Sequence, residues 1–433
     1  MTNAAEVVID GKTVGAVYFD TERLVGSFEY AEEWIETGYS ISPIHLPLTK
    51  QIFSFPYLNP ETYHGLPGAL ADTLPDDYGN AIINAWLIRN DRDVGSFTPV
   101  ERLLYTGTRG MGALEYLPQM REQKVKPMDV NIAQLVELAQ SVIDLRSDLN
   151  VEVSTEGLSE ILQVGTSAGG ARPKAVIALN SDRTHVVSGQ VDVPQGYEHY
   201  LIKFDGVKER SSTAETFGDP AGYGRLEYAY YLAATEAGID MMPCELLEEG
   251  DRAHFLTKRF DRDGNRKVHY QSLCAMDHAD FKAPGLYSYE EAFSVMRRLR
   301  LPLNDAKEML RRMVFNVIMR NQDDHSKNFG FVHKDGRWRL APAFDVGFNY
   351  IPGNRWTERH NMTINGKQSD FEYSDLEAVV NTSAPLLAEL PNIVDRVNSA
   401  RDSVRRHMKE CEVPKRLIDR VTGSLRNISK SGW

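Results

Sequence analysis

The chain opens with two short runs of β-forming residues around a turn dipeptide. Val7, Val8 and Ile9 precede Asp10-Gly11, and Val14 to Phe19 follow, which predicts a hairpin. From about Leu66 the apolar spacing lengthens. Ile82, Ile83, Trp86 and Leu87 follow Asp76-Asp77 at helical intervals, which predicts a helix over residues 78–89. Residues 111–117 read as a strand closing this region. The basic, Pro-containing run KVKPMD at residues 124–129 reads as a boundary, with a helix over about 130–145 after it.

The middle of the chain is β-rich again. Residues 160–164 lead into a loop of small residues, and residues 174–179 leave it as a strand. Further strands are expected over 199–204 and 254–260, the latter followed by the turn Asp263-Gly264. Between them lies a helix over 225–237, ended by Gly238. Most of the remainder is helical. Met309, Leu310, Met313, Val314, Val317 and Ile318 share one face of a helix predicted over 304–320. One hairpin interrupts, over 329–340, with Asp335-Gly336 at its turn. Helices are expected over most of the stretch from 374 onward.

The 433 residues leave room for two or three domains, and a chain this long buries enough core to need no staples. Only 3 cysteines occur, Cys244, Cys274 and Cys411, and none forms a CxxC pair. That argues against a zinc module or a disulfide framework and for a reducing, cytoplasmic setting, with the three thiols as buried small hydrophobes. The net charge of -12 makes the chain a poor direct partner for nucleic acid, because phosphate neutralisation needs clustered Lys and Arg. No apolar run reaches about 18 residues, so no membrane span is expected. The N-terminus lacks a basic segment followed by an apolar one, so no signal peptide is expected.

The segment Asn321-Gln-Asp-Asp-His-Ser-Lys-Asn328 carries the most chemistry. It follows the long helix and precedes the hairpin, and Ala343-Phe344-Asp345 comes after the hairpin. Two polar loops therefore flank one short hairpin, which would fold them side by side. Phosphoryl transfer uses such an arrangement: one carboxylate orients the attacking hydroxyl, while an amide oxygen and a second carboxylate hold Mg²⁺. Protein kinases space the catalytic Asp and the metal-binding Asn five apart, as Asp323 and Asn328 are here. The order Phe344-Asp345 departs from the kinase lettering Asp-Phe-Gly. The loop also suits a plain helix cap and turn, since Asn and Asp favour both.

A second constellation is Gly165-Thr-Ser-Ala-Gly-Gly-Ala-Arg-Pro-Lys174. Small residues let backbone N–H groups approach a phosphate closely. A Walker loop would contain Gly-Lys-Ser/Thr and open a helix, whereas a strand follows this one; it also reads as an ordinary hairpin loop. Lys203, in the apolar run Leu201-Ile202-Lys203-Phe204, is either a phosphate-gripping strand lysine or a solvent-facing lysine of an edge strand. Glu227 on the next helix is either its partner or a solvated helix residue. His325 has no second His at metal spacing, so a zinc role is not expected.

These parts in this order resemble the HipA family of serine/threonine kinases. The resemblance rests on TSAGGARPK at 166–174, IKF around Lys203, LTKRFDR at 256–262, DDHSKNFGF at 323–331 and AFD at 343–345. LADTLPDD at 70–77 resembles the family's own N-terminal subdomain, so the likeness spans nearly the whole chain. It implies an α+β, two-lobed protein-kinase-like fold with an additional N-terminal β-rich subdomain and a mainly helical C-terminal lobe. The parts would be a subdomain over 1–125, a nucleotide-binding lobe over 126–257 and a helical lobe over 258–433, with ATP between the lobes.

The resemblance also implies roles. Asp323 would be the catalytic base, and Asn328 and Asp345 would hold Mg²⁺. Lys203 would bind the α and β phosphates of ATP, with His325 near them. Gly169, Gly170, Ala171, Arg172, Pro173 and Lys174 would cover the nucleotide, and Lys258, Arg259 and Phe260 would meet adenine through their backbone. Ser167 matches the family's autophosphorylated serine, with Thr166 as the adjacent alternative; a phosphate there would oppose ATP binding by charge. Pro173 stiffens this loop and departs from the family pattern. A HipB-like antitoxin dimer would carry the protein to operator DNA, and the family's known protein substrate is glutamyl-tRNA ligase. A HipA-fold kinase acting on a small molecule or lipid, and a non-catalytic corepressor that binds ATP and antitoxin, are the competing readings.

Overall fold

The computed structural model describes residues 2–89, 91–120, 129–147, 172–207 and 221–430. The protein is α+β and forms two compact units, each built from two stretches of chain. One comprises residues 1–221 with 247–271, the other residues 222–246 with 272–433. Where the sequence suggests boundaries near 125 and 257, the chain thus keeps residues 258–271 in the first unit and places 222–246 in the second.

The first unit begins with a five-stranded antiparallel sheet. Its spatial order is Phe53–Ser54, Val25–Tyr30, Lys12–Asp20, Ala4–Ile9, Glu115–Leu117. Ile9 pairs with Lys12, so the expected Asp10-Gly11 turn has two central residues. Both are left-handed, at φ 48° and 71°, the geometry that matches strand twist in a two-residue hairpin. The strand Val25–Tyr30 was not foreseen, although Gly26, Phe28 and Tyr30 alternate inward along it. It lies close against Lys12–Asp20: a Cβ at Gly15 would stand 2.1 Å from the Glu29 carbonyl oxygen. The strand expected over 111–117 shortens to Glu115–Leu117, because residues before it turn back, with Gly107 and Gly112 at positive φ.

The second sheet, all of it in this unit except residues 244–246, has the order Val186–Ser188, Lys174–Asn180, Tyr197–Lys203, Arg252–Lys258, Cys244–Glu249. Its face is covered by the helices Asp77–Arg89 and Ile132–Ser147. Tyr78, Ile82, Ile83 and Leu87 from the first, with Leu135, Val136 and Ala139 from the second, join Ala175, Ile177, Leu179, Ile202 and Phe204 in one core. Each fully buried Ile, Leu or Val side chain there contributes about 1.5–3 kcal/mol. The N-terminal helix is therefore part of the second sheet's core.

Two polar clusters tie this unit together. Lys174 Nζ lies 3.1 Å from Asp76 Oδ2, with both side chains 2% exposed. Asp76 also accepts the Gly79 N–H at 2.6 Å, capping the helix that begins beside it. Asp261 is fully buried and accepts from Arg259 at 2.8 and 2.6 Å, from Arg262 at 2.8 Å and from the Gly112 N–H at 2.8 Å. Burial pushes its carboxyl up, but the two guanidiniums outweigh it and hold it well below the usual carboxylate range.

The second unit is built on the helix Leu303–Met319, whose expected apolar face is buried. It packs with Ala384–Glu410, which in turn packs with Tyr223–Glu236. The Tyr230 hydroxyl donates to the Met319 carbonyl at 2.9 Å. The strands Gly330–Lys334 and Arg337–Leu340 form the expected hairpin, and Lys334 pairs with Arg337. Asp335 and Gly336 at its turn are both left-handed, at φ 52° and 73°. Arg339 grips Asp305 with two nitrogens at 2.7 and 2.9 Å, and the Leu340 N–H adds a bond at 2.9 Å. The hairpin is thereby fastened to the first turn of the long helix. The helices Tyr373–Val380, Ala384–Glu410 and Lys415–Thr422 account for the expected helical end. All three cysteines are buried. Among the described residues, no helix is long and apolar enough to cross a membrane.

The Asp76–Lys174 pair makes a direct prediction. Asp76→Ala leaves a buried ammonium uncompensated and should lower the unfolding free energy by about 3–5 kcal/mol. Asp76→Ala combined with Lys174→Met should lose far less. Denaturant melts of the three proteins check this; equal losses in single and double variants would show that the pair does not couple.

Candidate active site

The long helix ends at Arg320, a non-glycine residue in the left-handed region at φ 58°. The chain leaves the helix axis there and runs through Asn321 to Asn328 before the hairpin. Ser326–Asn328 is a single 3₁₀ turn, and His325 precedes it as N-cap residue.

The two adjacent aspartates differ completely in surroundings. The Asp323 side chain is 39% exposed, and its nearest ionic neighbour is His325 Nε2 at 3.6 Å. Asp324 is wholly buried. Its Oδ2 accepts from the Tyr289 hydroxyl at 2.9 Å and from His360 Nδ1 at 2.8 Å. Its Oδ1 accepts the Asn361 N–H at 2.8 Å. A buried carboxylate needs such partners, and these three occupy it. Burial, and then the Asp324 charge, push the Tyr289 phenol well above its ordinary range, so it remains a donor. Of the two carboxylates, Asp323 is the one accessible to a reacting group.

Asn328 Nδ2 donates to the Asp323 carbonyl at 2.7 Å. That bond closes the loop on itself and leaves the amide oxygen as the atom that can face a cation. The ring of His325 stands 5.3 Å from that of Phe281, and Lys327 Nζ lies 5.2 Å over the same ring. Ser326 Oγ donates to the Ala279 carbonyl at 2.6 Å, holding the turn against the preceding segment.

The segment with Asp345 has no regular structure but is pinned on both sides. Ala343 bridges Met241, and its N–H donates to the Asp240 carbonyl at 2.8 Å. Asn349 bridges Asn321, and its N–H donates to the Arg320 carbonyl at 3.1 Å. The hairpin does bring the two loops side by side, and this bridge joins them. Asp345 lies between the pins at φ 52°. Left-handed backbone in a non-glycine residue costs about 1–3 kcal/mol and persists where its surroundings over-determine it. Among the described residues no cluster of three or more His, Cys, Asp or Glu side chains could hold a metal. The expected pair, Asn328 and Asp345, has one carboxylate and one amide, a smaller set of hard oxygen donors of the kind Mg²⁺ accepts beside phosphate.

The remaining candidates lie in the first unit. Lys203 ends a strand flanked by others, since it is in register with Lys174 on one side and Phe255 on the other. It is therefore not an edge-strand lysine, and its ammonium sits 5.8 Å over the Phe255 ring. Pro173 is buried and its carbonyl accepts the Phe204 N–H at 3.1 Å. Arg172 is half-buried. Lys174, expected over the nucleotide, is the buried partner of Asp76. The ammonium of Lys258 bonds Glu198, and the guanidinium of Arg259 is held by Asp261. The Phe260 ring lies 5.3 Å from that of Tyr270. Thr166, Ser167, Gly169, Gly170 and Ala171 lie outside the described residues. In the second unit Glu227 is buried on the helix Tyr223–Glu236 rather than solvated.

Sequence reasoning did not find Asp261, Tyr289 or His360. Each is bonded to a partner, and a single sequence shows partners only when they are neighbours.

The family described as HipA-like C-terminal domain matches residues 166–413, and that described as HipA N-terminal domain matches residues 5–117. "Putative kinase Y4mE" of Sinorhizobium fredii is 23% identical over 363 residues, covering 78% of this chain and 75% of that protein. A Haemophilus influenzae protein named "Putative kinase" is 26% identical over 217 residues, covering 47% and 57%. A chain of the Shewanella oneidensis MR-1 complex of HipA, HipB and operator DNA superposes with a TM-score of 0.64 at 15% identity, covering 99% and 93%. That match extends the fold to the full chain. With the two domain matches in sequence order and together spanning most of its length, the chain belongs to the HipA family.

Proposed function

We propose that this protein is an ATP-dependent serine/threonine kinase and the toxin half of a toxin–antitoxin pair. One observation carries the reading: accessible Asp323 and bridging Asn328 share a loop that is backbone-paired to the segment of left-handed Asp345. Bound Mg·ATP supplies the phosphoryl group and neutralises charge on it. Asp323 takes up or orients the proton of the attacking hydroxyl. Asn328, through its amide oxygen, and Asp345 hold the metal. Lys203 grips phosphate, and His325 lies near it. Because Lys258 and Arg259 have committed side chains, residues 258–260 meet adenine through backbone. Gly169 to Lys174 form the cover, with Lys174 anchoring its end on Asp76. Ser167, or Thr166 beside it, takes the autophosphate.

The partner in this reading is a HipB-like antitoxin dimer that supplies most operator DNA contacts, which suits the net charge of -12. The Shewanella assembly of HipA, HipB and operator DNA supports that choice. The substrate is a protein of translation such as glutamyl-tRNA ligase, and the protein works in the cytoplasm.

The decisive experiment incubates the unphosphorylated protein with Mg²⁺ and γ-labelled ATP, beside Asp323→Ala, and maps the label. Label on Ser167 or Thr166 in the wild type alone is expected. ATP binding without any label would make the protein a nucleotide-binding corepressor instead, and label passed only to a small molecule or lipid would make it that kind of kinase. Asp323→Ala should hold its stability within about 0.5 kcal/mol, as exposed side chains do. Asp345→Ala should weaken ATP binding about 10-fold or more with Mg²⁺ and little without it, because the lost contact is to the metal. Calorimetry in the two conditions reads the difference; equal loss in both would remove Asp345 from the metal site.

A further inference from the structure

A chain of side-chain hydrogen bonds runs behind the loop. Asn349 Nδ2 donates to Asn321 Oδ1 at 2.9 Å. Asn321 Nδ2 donates to Asn316 Oδ1 at 2.9 Å, and Asn316 Nδ2 to the Tyr289 hydroxyl at 3.0 Å. The Tyr289 hydroxyl donates to Asp324 Oδ2, the oxygen that His360 Nδ1 also meets. Each donor points toward the Asp324 carboxylate, so successive bonds polarise one another in the same sense.

Stability alone does not account for this chain. Asn316 interrupts the otherwise apolar buried stretch Met313 to Met319. Buried polar networks are often no more stable than apolar packing of the same volume, and their attested value is in specifying one arrangement. Here the arrangement joins three stretches that no regular ladder fixes: the loop at 321–324, the segment at 349 and the segment at 360–361. Asn349 is four residues past Asp345, and Asp324 is the residue after Asp323. The ends of the network thus fall within four residues, along the sequence, of the expected base and the expected metal ligand. His360 is wholly buried, its Nε2 meets no hydrogen-bond partner among the described residues, and its Nδ1 bonds Asp324.

We propose that this chain sets the geometry for phosphoryl transfer, and that His360 is a positioning residue acting through Asp324. The inference rests on the reading of Asp323 as base and Asp345 as metal ligand. Fixing both Asp324 oxygens fixes the peptide between the two aspartates, which turns Asp323 outward. The Asn349 end holds the strand of chain that carries Asp345 at a set distance from that base.

The test uses the full-length protein in three variants, with single-turnover transfer from γ-labelled ATP and ATP affinity by calorimetry. His360→Leu should slow transfer on bound ATP by about 10- to 100-fold, since misplacement of about 1 Å costs that much, while affinity stays within about 3-fold. His360→Asn places an amide N–H where Nδ1 stood and should restore most of the rate. Asn349→Ala, at the half-buried end, should slow transfer about 10-fold and is the variant that decides if His360→Leu does not fold. A wild-type rate in folded His360→Leu or Asn349→Ala overturns the proposal, as does a rate loss matched by equal loss of ATP affinity. No transfer by the wild type would sink the kinase reading and this inference together. Transfer by the wild type with unaffected variants would sink the positioning role alone.

Discussion

The first unit depends on one buried charge pair set into an apolar core. Asp76 ends an N-terminal turn and caps a helix, while Lys174 starts the strand that follows the small-residue loop, 98 positions later. Two charges withdrawn from water stabilise each other only when they meet at close range, so each is a condition on the placement of the other. Around them the helix Asp77–Arg89 and the second sheet bury the same side chains. The N-terminal region therefore belongs to the folding unit of the sheet. The Asp261 cluster makes a second connection of the same kind, between the turn at Gly110–Gly112 and the stretch Arg259–Arg262.

In the second unit, surroundings rather than residue type assign the tasks. Asp323 and Asp324 are the same side chain one position apart. One is accessible with a single ionic neighbour; the other is sealed and saturated by three donors. A carboxylate whose oxygens already meet three donors in a dry site has no face open to a reacting group, whereas the half-exposed one beside an imidazole does. The chemistry proposed for the loop follows from that division.

Much of this was legible in the chain itself. The helix Leu303–Met319 appeared from its apolar stripe and the turns at Asp10-Gly11 and Asp335-Gly336 from their dipeptides, whereas the turn expected at Asp263-Gly264 moves on by one residue, since Asp263 pairs with Arg266. These are local signals. What stayed hidden depends on distant partners. Lys174 read as a nucleotide contact because its carboxylate is 98 positions away. Lys203 could not be placed until its strand had neighbours on both sides. The strand Val25–Tyr30 was hidden because Gly26 and Ser27 weaken its β signal, although the alternation is there. His360 has no neighbour in sequence that hints at Asp324.

The hairpin Gly330–Lys334 with Arg337–Leu340 has one further consequence. It lies between Asn328 and Asp345, with a closed two-residue turn and both ends anchored. Side chains in a strand alternate with period two, so a single inserted residue would exchange the inward and outward faces of everything beyond it. Without inverting a face, residues can be added or removed only two at a time on each strand. The hairpin works as a ruler graduated in steps of two, and its parity is a rule against which any insertion between the two loops can be judged.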